Sequence, residues 1–320
     1  MEITLRGLII KGVGGLYSVR VCEPDSELDG TIVSCRAKGA FRHSGITPLA
    51  GDRVILGADS DNNNKKNDKA AEGGFVISEI CERKNSLIRP PLANLDYIFV
   101  TMAASHPSPI LSTVDKLISI AEFNKIEPVV VITKEDIDAT EAKRIADIYT
   151  RSGFTVFMIS SVSGQGVEDI REFIAQNLRG KTAAFAGASG IGKSTLMNAL
   201  FPELELSTSE ISRKIERGRH TTRSVELFPL TADRDCGYLA DTPGFSMLDF
   251  ERFDFFEKED LPLTMREFVP YIGSCKYTKC SHTKEEGCAI VEAVRSGEIP
   301  ASRHASFLEM HETLKLKKKW

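Results

Sequence analysis

Residues 187–195 have the composition and spacing of a phosphate-binding loop. They fit the pattern G-x-x-x-x-G-K-S/T between an apolar run, TAAFA, and a helical run, TLMNAL, so the loop is predicted to join a strand to a helix. Glycines allow consecutive backbone N–H groups to turn towards an anion, and the start of a helix adds partial positive charge. We expect Lys193 to reach the β- and γ-phosphates of a nucleotide and the Ser194 hydroxyl to bind Mg²⁺. The loop consists of Gly187, Ala188, Ser189, Gly190, Ile191, Gly192, Lys193, Ser194 and Thr195.

A second polar segment, containing Thr133, Lys134 and Asp136, follows the apolar run VVVI and resembles the N/T-K-x-D signature for guanine. The Asp136 carboxylate can accept hydrogens from guanine N1 and N2, a pairing that adenine does not offer. The aliphatic stem of Lys134 can lie over the base. Thr133 departs from the commoner Asn, and T-K-x-D also arises in solvated loops. Ser160 ends the run TVFMIS and Ser161 follows it, and there they can supply a backbone contact to guanine O6.

Two further segments have the residues expected around a γ-phosphate. Asp241 ends the apolar run GYLAD, where its carboxylate can bind Mg²⁺ through water, and the Gly244 amide of D-T-P-G can approach the phosphate. A plain turn is the alternative. The polar segment GRHTTR (218–223) can order around the phosphate as a switch loop, with Thr221 and Thr222 as candidate Mg²⁺-sensing hydroxyls. The candidate Mg²⁺ ligands are therefore Ser194, Thr221 and Asp241.

His220 and Phe245 bear on how the water that attacks the γ-phosphate is positioned. Phe245 stands where many GTPases carry the Gln that positions the attacking water, so slow unaided hydrolysis is predicted and a partner can complete the site. His220, beside the switch threonines, can orient water or transfer a proton in place of that Gln. A lone His in a basic loop is also commonly just solvated, and the sequence leaves both interpretations open.

The order of these segments is their most informative property. In an ordinary GTPase the phosphate-binding loop comes first, whereas here the T-K-E-D segment (133–136) and the serines at 160–161 precede it. The cyclic order is intact, and only the chain ends are placed differently. A doubly wound sheet tolerates this change because its ligands bind beside the carboxyl ends of the strands. The sequence therefore predicts a circularly permuted guanine-nucleotide-binding domain.

Cys275, Cys280, His282 and Cys288 form a compact set of metal ligands. Three thiolates and one imidazole within fourteen residues are typical of a closed structural Zn²⁺ site, one per chain, without an open position for catalysis. We expect the ion to stabilise a small region that has little core of its own. Free thiols beside a surface His are the alternative.

Three regions differ in their hydrophobic pattern. Residues 1–90 contain about five short β-rich runs, which fit a small barrel, and a polar stretch at 58–74 that we interpret as a disordered hairpin loop. Residues 91–249 alternate strand-like and helical runs, which predicts an α/β domain with a mostly parallel sheet. Residues 250–320 contain an acidic linker, the Cys/His set and two helical segments, and are predicted to form a small α-rich zinc-binding domain.

The bulk composition excludes several classes of protein. A net charge of −4 over 320 residues argues against a protein that coats nucleic acid non-specifically. Seven scattered or clustered cysteines do not suggest a disulfide framework. Because the sequence shows neither a secretory signal nor a run long enough to span a membrane, we expect a cytoplasmic protein without a membrane partner.

Taken together, the motifs closely resemble those of the ribosome small-subunit-dependent GTPase A (RsgA) family, over nearly the whole chain. The matching segments are RPPLANLDYIFV, EPVVVITKED, GASGIGKSTLMNAL, GRHTT, LADTPGF and CKYTKCSHTKEEGC. The resemblance implies a multidomain protein with an OB-fold barrel that touches ribosomal RNA, a P-loop GTPase and a zinc domain that docks on the 30S subunit during late maturation. It implies GTP and GDP as ligands, hydrolysis stimulated by the 30S subunit, contact with 16S rRNA and a monomeric chain. The family's His beside the switch threonines matches His220, and a hydrophobic residue matches Phe245.

Three other functions remain compatible with the residues. A permuted GTPase serving another ribonucleoprotein, such as the large subunit, would keep every nucleotide motif. A P-loop kinase of a small metabolite would make the T-K-E-D match accidental and would use ATP and GTP equally. A zinc-stabilised RNA-binding module would leave GTP intact. Without the resemblance, RNA binding would depend only on local patches, such as nine Lys or Arg against six Glu in residues 271–320, which end in KKKW.

Overall fold

The computed structural model describes residues 4–41, 45–58, 74–88, 90–188, 190–202, 225–231, 236–241 and 256–316, and the fold is given for these residues. The chain divides into two compact units. The first comprises Met1–Asp96, Leu178–Ala184 and Gly218–Gly244, and the second comprises Tyr97–Asn177, Phe185–Arg217 and Phe245–Trp320. The predicted loop at 58–74 lies outside the described residues except at its two ends.

The described strands and helices have the following bounds. The strands are β1 (Leu5–Val13), β2 (Leu16–Val21), β3 (Ile32–Ala37), β4 (Arg53–Ala58), β5 (Phe75–Ile80), β6 (Ser86–Leu87), β7 (Leu92–Ala93), β8 (Tyr97–Ala103), β9 (Glu127–Thr133), β10 (Thr155–Met158), β11 (Thr182–Ala186), β12 (Glu226–Pro229) and β13 (Tyr238–Asp241). The α-helices are α1 (Leu111–Phe123), α2 (Ala139–Arg151), α3 (Val167–Asn177), α4 (Lys193–Leu200), α5 (Ala289–Arg295) and α6 (Ala301–Leu316), and two 3₁₀ helices cover Leu261–Thr264 and Arg266–Tyr271.

The first five strands form a closed barrel in the first unit. β1 pairs antiparallel with β2, β2 with β3, and β4 with β5, whereas β3 and β5 run parallel. β1 also pairs with β4, with Leu5 opposite Leu56, and this pairing closes the barrel. The order β1-β2-β3-β5-β4 with closure onto β1 is that of the OB-fold, so the predicted five-stranded barrel is confirmed.

Alternation of side chains along these strands fills the barrel. Successive residues of a strand point to opposite faces, so every second residue can enter the core. Along β2 the buried residues are Tyr17, Val19 and Val21, with partly exposed residues between them. The interior consists of Leu5, Ile9, Tyr17, Val19, Val21, Cys35, Val54, Leu56 and Ile77.

The rest of the first unit includes a small part of a parallel sheet. β13 runs parallel to β11, with Ala183 opposite Leu239, and antiparallel to β12. β12 meets barrel strand β1 at Lys11 and Glu226, which also form an ion pair. The segment preceding β12 and the segment following β13 contain the predicted switch residues, and both lie outside the described residues.

The second unit contains the parallel strands β8, β9 and β10. Phe99 of β8 lies opposite Val129 of β9, and Val129 lies opposite Thr155 of β10. Six of the seven residues of β9 are buried, as expected for a parallel strand that is covered on both faces. The connections include helices α1 and α2, and this alternation of strand and helix agrees with the sequence prediction. The carboxyl ends of the three strands therefore share one edge of the sheet.

Helix α6 belongs to the same unit and packs against α1 through a buried ion-pair network. Arg303 of α6 is 0% exposed and donates to Asp115 of α1 at 2.5 Å and to Glu267 at 2.6 Å. The Tyr149 hydroxyl of α2 donates to the same Asp115 at 2.9 Å. Burial lowers the pKa of Arg303, but the two carboxylates more than offset this effect and raise it. The network therefore joins three helices and a 3₁₀ segment around one charged group. Along the described residues, no helix is long and apolar enough to cross a membrane.

Candidate functional site

The backbone of the phosphate-binding loop requires glycine at three positions. Gly187, Gly190 and Gly192 have φ angles of 153°, 78° and 93°, in a region that L side chains rarely adopt. A Cβ atom at Gly187 would lie 2.2 Å from the Thr101 carbonyl oxygen of β8. The spacing recognised in the sequence therefore reflects backbone geometry, because only glycine allows the loop to pass so close to β8.

Lys193 and Ser194 stand at the start of helix α4, directly after the loop. Gly192 precedes the helix in a left-handed conformation, and Lys193 Nζ donates to the Gly187 carbonyl oxygen at 2.7 Å. The Lys193 ammonium group therefore lies against the backbone of the loop whose phosphate ligand it is predicted to bind. Ser194 is half-buried in the first turn and Thr195 is exposed, while Ile191 is buried. Of the predicted loop residues, Ser189 lies outside the described residues.

The T-K-E-D segment continues from the carboxyl end of β9. Lys134 has a φ angle of 59°, which turns the chain out of the strand, and the Ile137 N–H closes the turn on the Lys134 carbonyl oxygen at 3.0 Å. Helix α2 then begins after Asp138, whose carboxylate accepts from the Glu141 N–H at 2.9 Å. The turn and the cap fix this segment from both sides, and they leave Asp136 exposed.

Two side chains of this segment contact the phosphate-binding loop. The Thr133 hydroxyl, buried, lies 2.5 Å from the Ile191 carbonyl oxygen. Lys134 Nζ donates to the Gly190 carbonyl oxygen at 3.0 Å and also to the carbonyl oxygen of His106, in the segment after β8. The two segments predicted to bind the base and the phosphates are therefore joined directly. Sequence reasoning treated Thr133 as a weakness of the motif, and it gave His106 no role.

Ser160 and Ser161 lie in a tight turn after β10. The Ser160 N–H donates to the Gln165 carbonyl oxygen at 3.0 Å, and its hydroxyl accepts from the Ser163 N–H at 3.2 Å. The turn lies against the T-K-E-D segment because the Glu135 N–H donates to the Ile159 carbonyl oxygen at 3.1 Å. Ser160 is buried and Ser161 is half-buried. The turn after β10 therefore lies beside the T-K-E-D segment, and the contact of these serines with guanine stays a prediction.

The predicted switch residues are mostly outside the described residues. This applies to His220, Thr221, Thr222, Gly244 and Phe245. Asp241 is the last residue of β13, where its backbone lies opposite Glu226 of β12. It therefore stands at a strand end, as the sequence predicts, and residues 242–255 after it lie outside the described residues.

The four predicted metal ligands converge in the second unit. One ligand atom from each of Cys275, Cys280, His282 and Cys288 lies within 4.8 Å of all the others. The Cys275 and Cys288 sulfurs are 3.8 Å apart, and His282 Nδ1 lies 3.5 Å and 3.6 Å from them. Zinc binds sulfur at about 2.3 Å and nitrogen at about 2.0–2.1 Å, so a tetrahedral site separates two sulfurs by about 3.8 Å and sulfur from nitrogen by about 3.6 Å. The donor set and its spacing therefore fit a tetrahedral ion.

Hydrogen bonds shape the backbone around these ligands. The Glu285 carboxylate accepts from the Ser281 N–H at 2.8 Å, the Thr283 N–H at 3.0 Å and the Lys284 N–H at 3.1 Å. Partial burial raises the pKa of Glu285, but hydrogen bonds from the Ser281 hydroxyl and from the Ser281, Glu285 and Lys284 N–H groups lower it to about 2. His304 Nε2 of α6 donates to the His282 carbonyl oxygen at 2.8 Å. Sequence reasoning missed Glu285 and His304, since neither is a ligand.

Comparison with known proteins gives consistent matches over the whole chain. The family profile described as RsgA GTPase matches residues 80–251, and that described as RsgA N-terminal domain matches residues 6–64. Proteins named small ribosomal subunit biogenesis GTPase RsgA from Bacillus pumilus and Bacillus subtilis are 39% and 38% identical, each covering 98% of both chains. The crystal structure of YjeQ from Thermotoga maritima aligns with a TM-score of 0.78 at 29% identity, over 99% of this chain and 100% of that one. The structure of YloQ, described as a circularly permuted GTPase, aligns with a TM-score of 0.74 at 33% identity, over 99% and 97% of the two chains.

Proposed function

The chain belongs to the RsgA GTPase family, and from this premise we propose that it hydrolyses GTP to GDP and phosphate during late maturation of the small ribosomal subunit. The 30S subunit stimulates the reaction, and the chain acts on it as a monomer in the cytoplasm. The names of the relatives, small ribosomal subunit biogenesis GTPase, support this assignment of the partner.

The junction between the T-K-E-D segment and the phosphate-binding loop supports the proposal most directly. A phosphate-binding loop alone does not select guanine over adenine. Here the Thr133 hydroxyl and Lys134 Nζ hold the base-reading segment against Ile191 and Gly190. One nucleotide can then place its phosphates on the loop and its base beside Asp136. A metabolite kinase would not require this junction.

Each residue of the site has a proposed role in binding. Lys193 pairs with the β- and γ-phosphates, Lys134 covers the guanine ring, and Asp136 accepts its N1 and N2 hydrogens. Backbone groups of Ser160 and Ser161 contact O6. The remaining phosphate contacts come from backbone N–H groups of residues 187–195 and the start of α4.

Ser194, Thr221 and Asp241 are the proposed Mg²⁺ ligands. Ser194 stands half-buried at the start of α4, next to Lys193. Bound Mg²⁺ supplies charge neutralisation on the β- and γ-phosphate oxygens. Thr222 is the second candidate of the switch segment.

The proposed chemistry explains why a partner stimulates hydrolysis. Phe245 has no hydrogen-bonding group with which to orient the attacking water, whereas the Gln of many GTPases does. His220 is proposed to orient this water, and the Gly244 amide to bind the γ-phosphate. We infer that docking on the small subunit completes the catalytic site.

The Cys275, Cys280, His282 and Cys288 cluster is proposed to bind one structural Zn²⁺. Four protein ligands fill a tetrahedral site, so the ion contributes stability and does not activate water. The barrel of β1–β5 is proposed to contact 16S rRNA, because OB-folds commonly bind oligonucleotides on one face.

Depletion of the protein tests the assignment to the small subunit. Ribosome profiles on sucrose gradients are expected to show free subunits accumulating, with immature rRNA in the small-subunit fraction. Complementation with wild type should restore the profile, and Lys193→Ala should not. Immature large subunits with normal small subunits would contradict the proposal and support the rival ribonucleoprotein assignment.

A further inference from the structure

The loop between the first two metal ligands, residues 276–279, presents an aromatic ring between two lysines. We propose that this loop binds single-stranded RNA, with a base stacked on the ring of Tyr277 and the adjoining phosphates paired with Lys276 and Lys279. The inference rests on the proposed function, because the RNA would belong to the small subunit.

Tyr277 is unusual in its exposure. Of the described Phe and Tyr side chains only two are classed as exposed, Tyr277 at 49% and Phe123 at 42%. Phe123 already packs on Phe256, with ring centroids 5.1 Å apart. The Nζ atom of Lys276 lies 5.5 Å from the centroid of the Tyr277 ring. A flat ring exposed to this extent beside a cation is suited to stacking on another flat ring.

The loop is held in place before any partner arrives. Cys275 and Cys280 belong to the converging ligand set at its two ends. The Lys276 N–H donates to the Gly287 carbonyl oxygen at 2.9 Å, and its side chain packs over Gly287, where an added Cβ would meet Lys276 Cβ at 3.0 Å. Preorganisation of this kind reduces the entropy lost on binding.

The charges around the ring favour a polyanion. Lys276, Lys279 and Lys284 are all exposed. The Glu285 carboxylate is turned into its own loop, where it accepts the hydrogen bonds from Ser281, Thr283 and Lys284. Glu286 is then the acidic group left exposed within residues 276–287. Three cations beside one free carboxylate are complementary to a phosphate backbone.

Unpaired RNA fits this surface better than a duplex or an acidic peptide. The deep major groove of A-form RNA keeps its base edges away from side chains, whereas bases in loops can stack on aromatic rings. Such stacking depends little on sequence, because every base has a π face. An acidic peptide would engage the lysines but would leave the ring unused.

Binding of a labelled oligonucleotide tests the proposal. The full-length, zinc-loaded protein is titrated into single-stranded RNA that contains 2-aminopurine, whose fluorescence is quenched by stacking. Tyr277→Leu removes the π face and is expected to weaken binding about 5- to 150-fold with loss of quenching. Tyr277→Phe should stay within about two-fold of wild type. Tyr271→Leu, at a half-buried tyrosine of the same region, is the matched control and should not change quenching.

The salt dependence of RNA binding measures the contribution of the two lysines separately from that of the Tyr277 ring. Replacing Lys276 and Lys279 by Gln should reduce the slope of log K against log salt by about 1.4, or about 0.7 for each phosphate contact. Unchanged zinc content in every variant shows that the loop is intact. If Tyr277→Leu binds RNA as well as Tyr277→Phe does, stacking is refuted. Loss of binding in the lysine variant alone would mean that the loop contacts phosphates without stacking a base, which also overturns the proposal.

The same variants separate failure of this proposal from failure of the proposed function. GTP hydrolysis with and without small subunits is measured in parallel for each. If wild type binds RNA through Tyr277 but the subunit does not stimulate hydrolysis, the ribosomal function is wrong and the RNA site remains. If stimulation is present and Tyr277 makes no difference to RNA binding, only the RNA site is wrong.

Discussion

The hydroxyl of Thr133 and the carbonyl oxygen of Ile191 lie 2.5 Å apart, although 58 residues separate them in the sequence. The bond joins the end of β9 to the phosphate-binding loop. Asn is the commoner residue at this position of the guanine signature, and its side-chain amide could donate to the same carbonyl oxygen. Thr133 therefore keeps a hydrogen-bond donor at this position.

We predict that Thr133→Val weakens GTP binding. Valine has a similar shape but no hydroxyl, so the buried Ile191 carbonyl oxygen loses this partner. An unsatisfied buried group costs about 1–3 kcal/mol, which corresponds to a roughly 5- to 150-fold higher Kd if the loop must stay ordered. Titration with a fluorescent GTP analogue measures this Kd, and Thr133→Ser is the control that keeps the hydroxyl. A wild-type Kd for the Val variant would show that the bond does not support the site.

Asp136→Asn should change the choice of base. The carboxylate accepts two guanine hydrogens, whereas an amide presents one donor and one acceptor, which matches the C2 carbonyl of xanthine. GTP affinity is expected to fall about 100-fold, as for loss of a charged hydrogen-bonding pair, while XTP affinity rises. Competition of GTP, XTP and ATP for one fluorescent nucleotide measures this. Retained guanine preference would remove Asp136 from the site.

Loss of the metal should unfold the region around it. Cys280→Ser replaces a thiolate ligand by a weaker one, so the variant should contain less zinc and lose a thermal transition. Metal analysis and differential scanning calorimetry check this, and a chelator should reproduce the effect in wild type. Cys22→Ser is the control, because Cys22 is exposed and outside the cluster. Equal thermal transitions for wild type and Cys280→Ser would rule out a structural ion.

Arg303→Met should destabilise the second unit strongly. The change leaves Asp115 and Glu267 buried without their cation, and breaking a buried pair in this way costs about 3–5 kcal/mol. Native-state hydrogen exchange in α1 and α6 measures the loss. Arg144→Met, which removes an exposed ion pair with Glu141, should cost less than about 1 kcal/mol. Similar protection in the two variants would show that the buried network is not stabilising.

Much of the fold was predictable because its signals are local. Strand β2 of the barrel alternates buried and partly exposed residues, and the β9 run VVVI is continuously apolar because both of its faces are covered. Glycine spacing in residues 187–195 reflects positive φ angles and the approach of β8. The resemblance drawn from the motifs is confirmed by the family match, as is the permuted order by the aligned structures.

Contacts between distant segments were not predictable. Arg303 looks like a solvated charge on a helix, and only the fold brings Asp115, 188 residues away, close enough to compensate for its burial. Hydrogen bonds to Glu285 likewise depend on the turn that the metal ligands define. The roles of His220, Thr221, Thr222 and Gly244 stay predictions, since they fall outside the described residues.

Multiple-turnover GTP hydrolysis with purified ribosomal subunits tests the central claim most directly. Wild type is assayed alone, with small subunits and with large subunits, using ATP as the control nucleotide and Lys193→Ala to measure background hydrolysis. We predict that wild type without subunits hydrolyses GTP slowly and that small subunits stimulate it strongly. ATP should not be turned over, and Lys193→Ala should show no turnover. Equal use of ATP, or a rate that small subunits leave unchanged, would contradict the account.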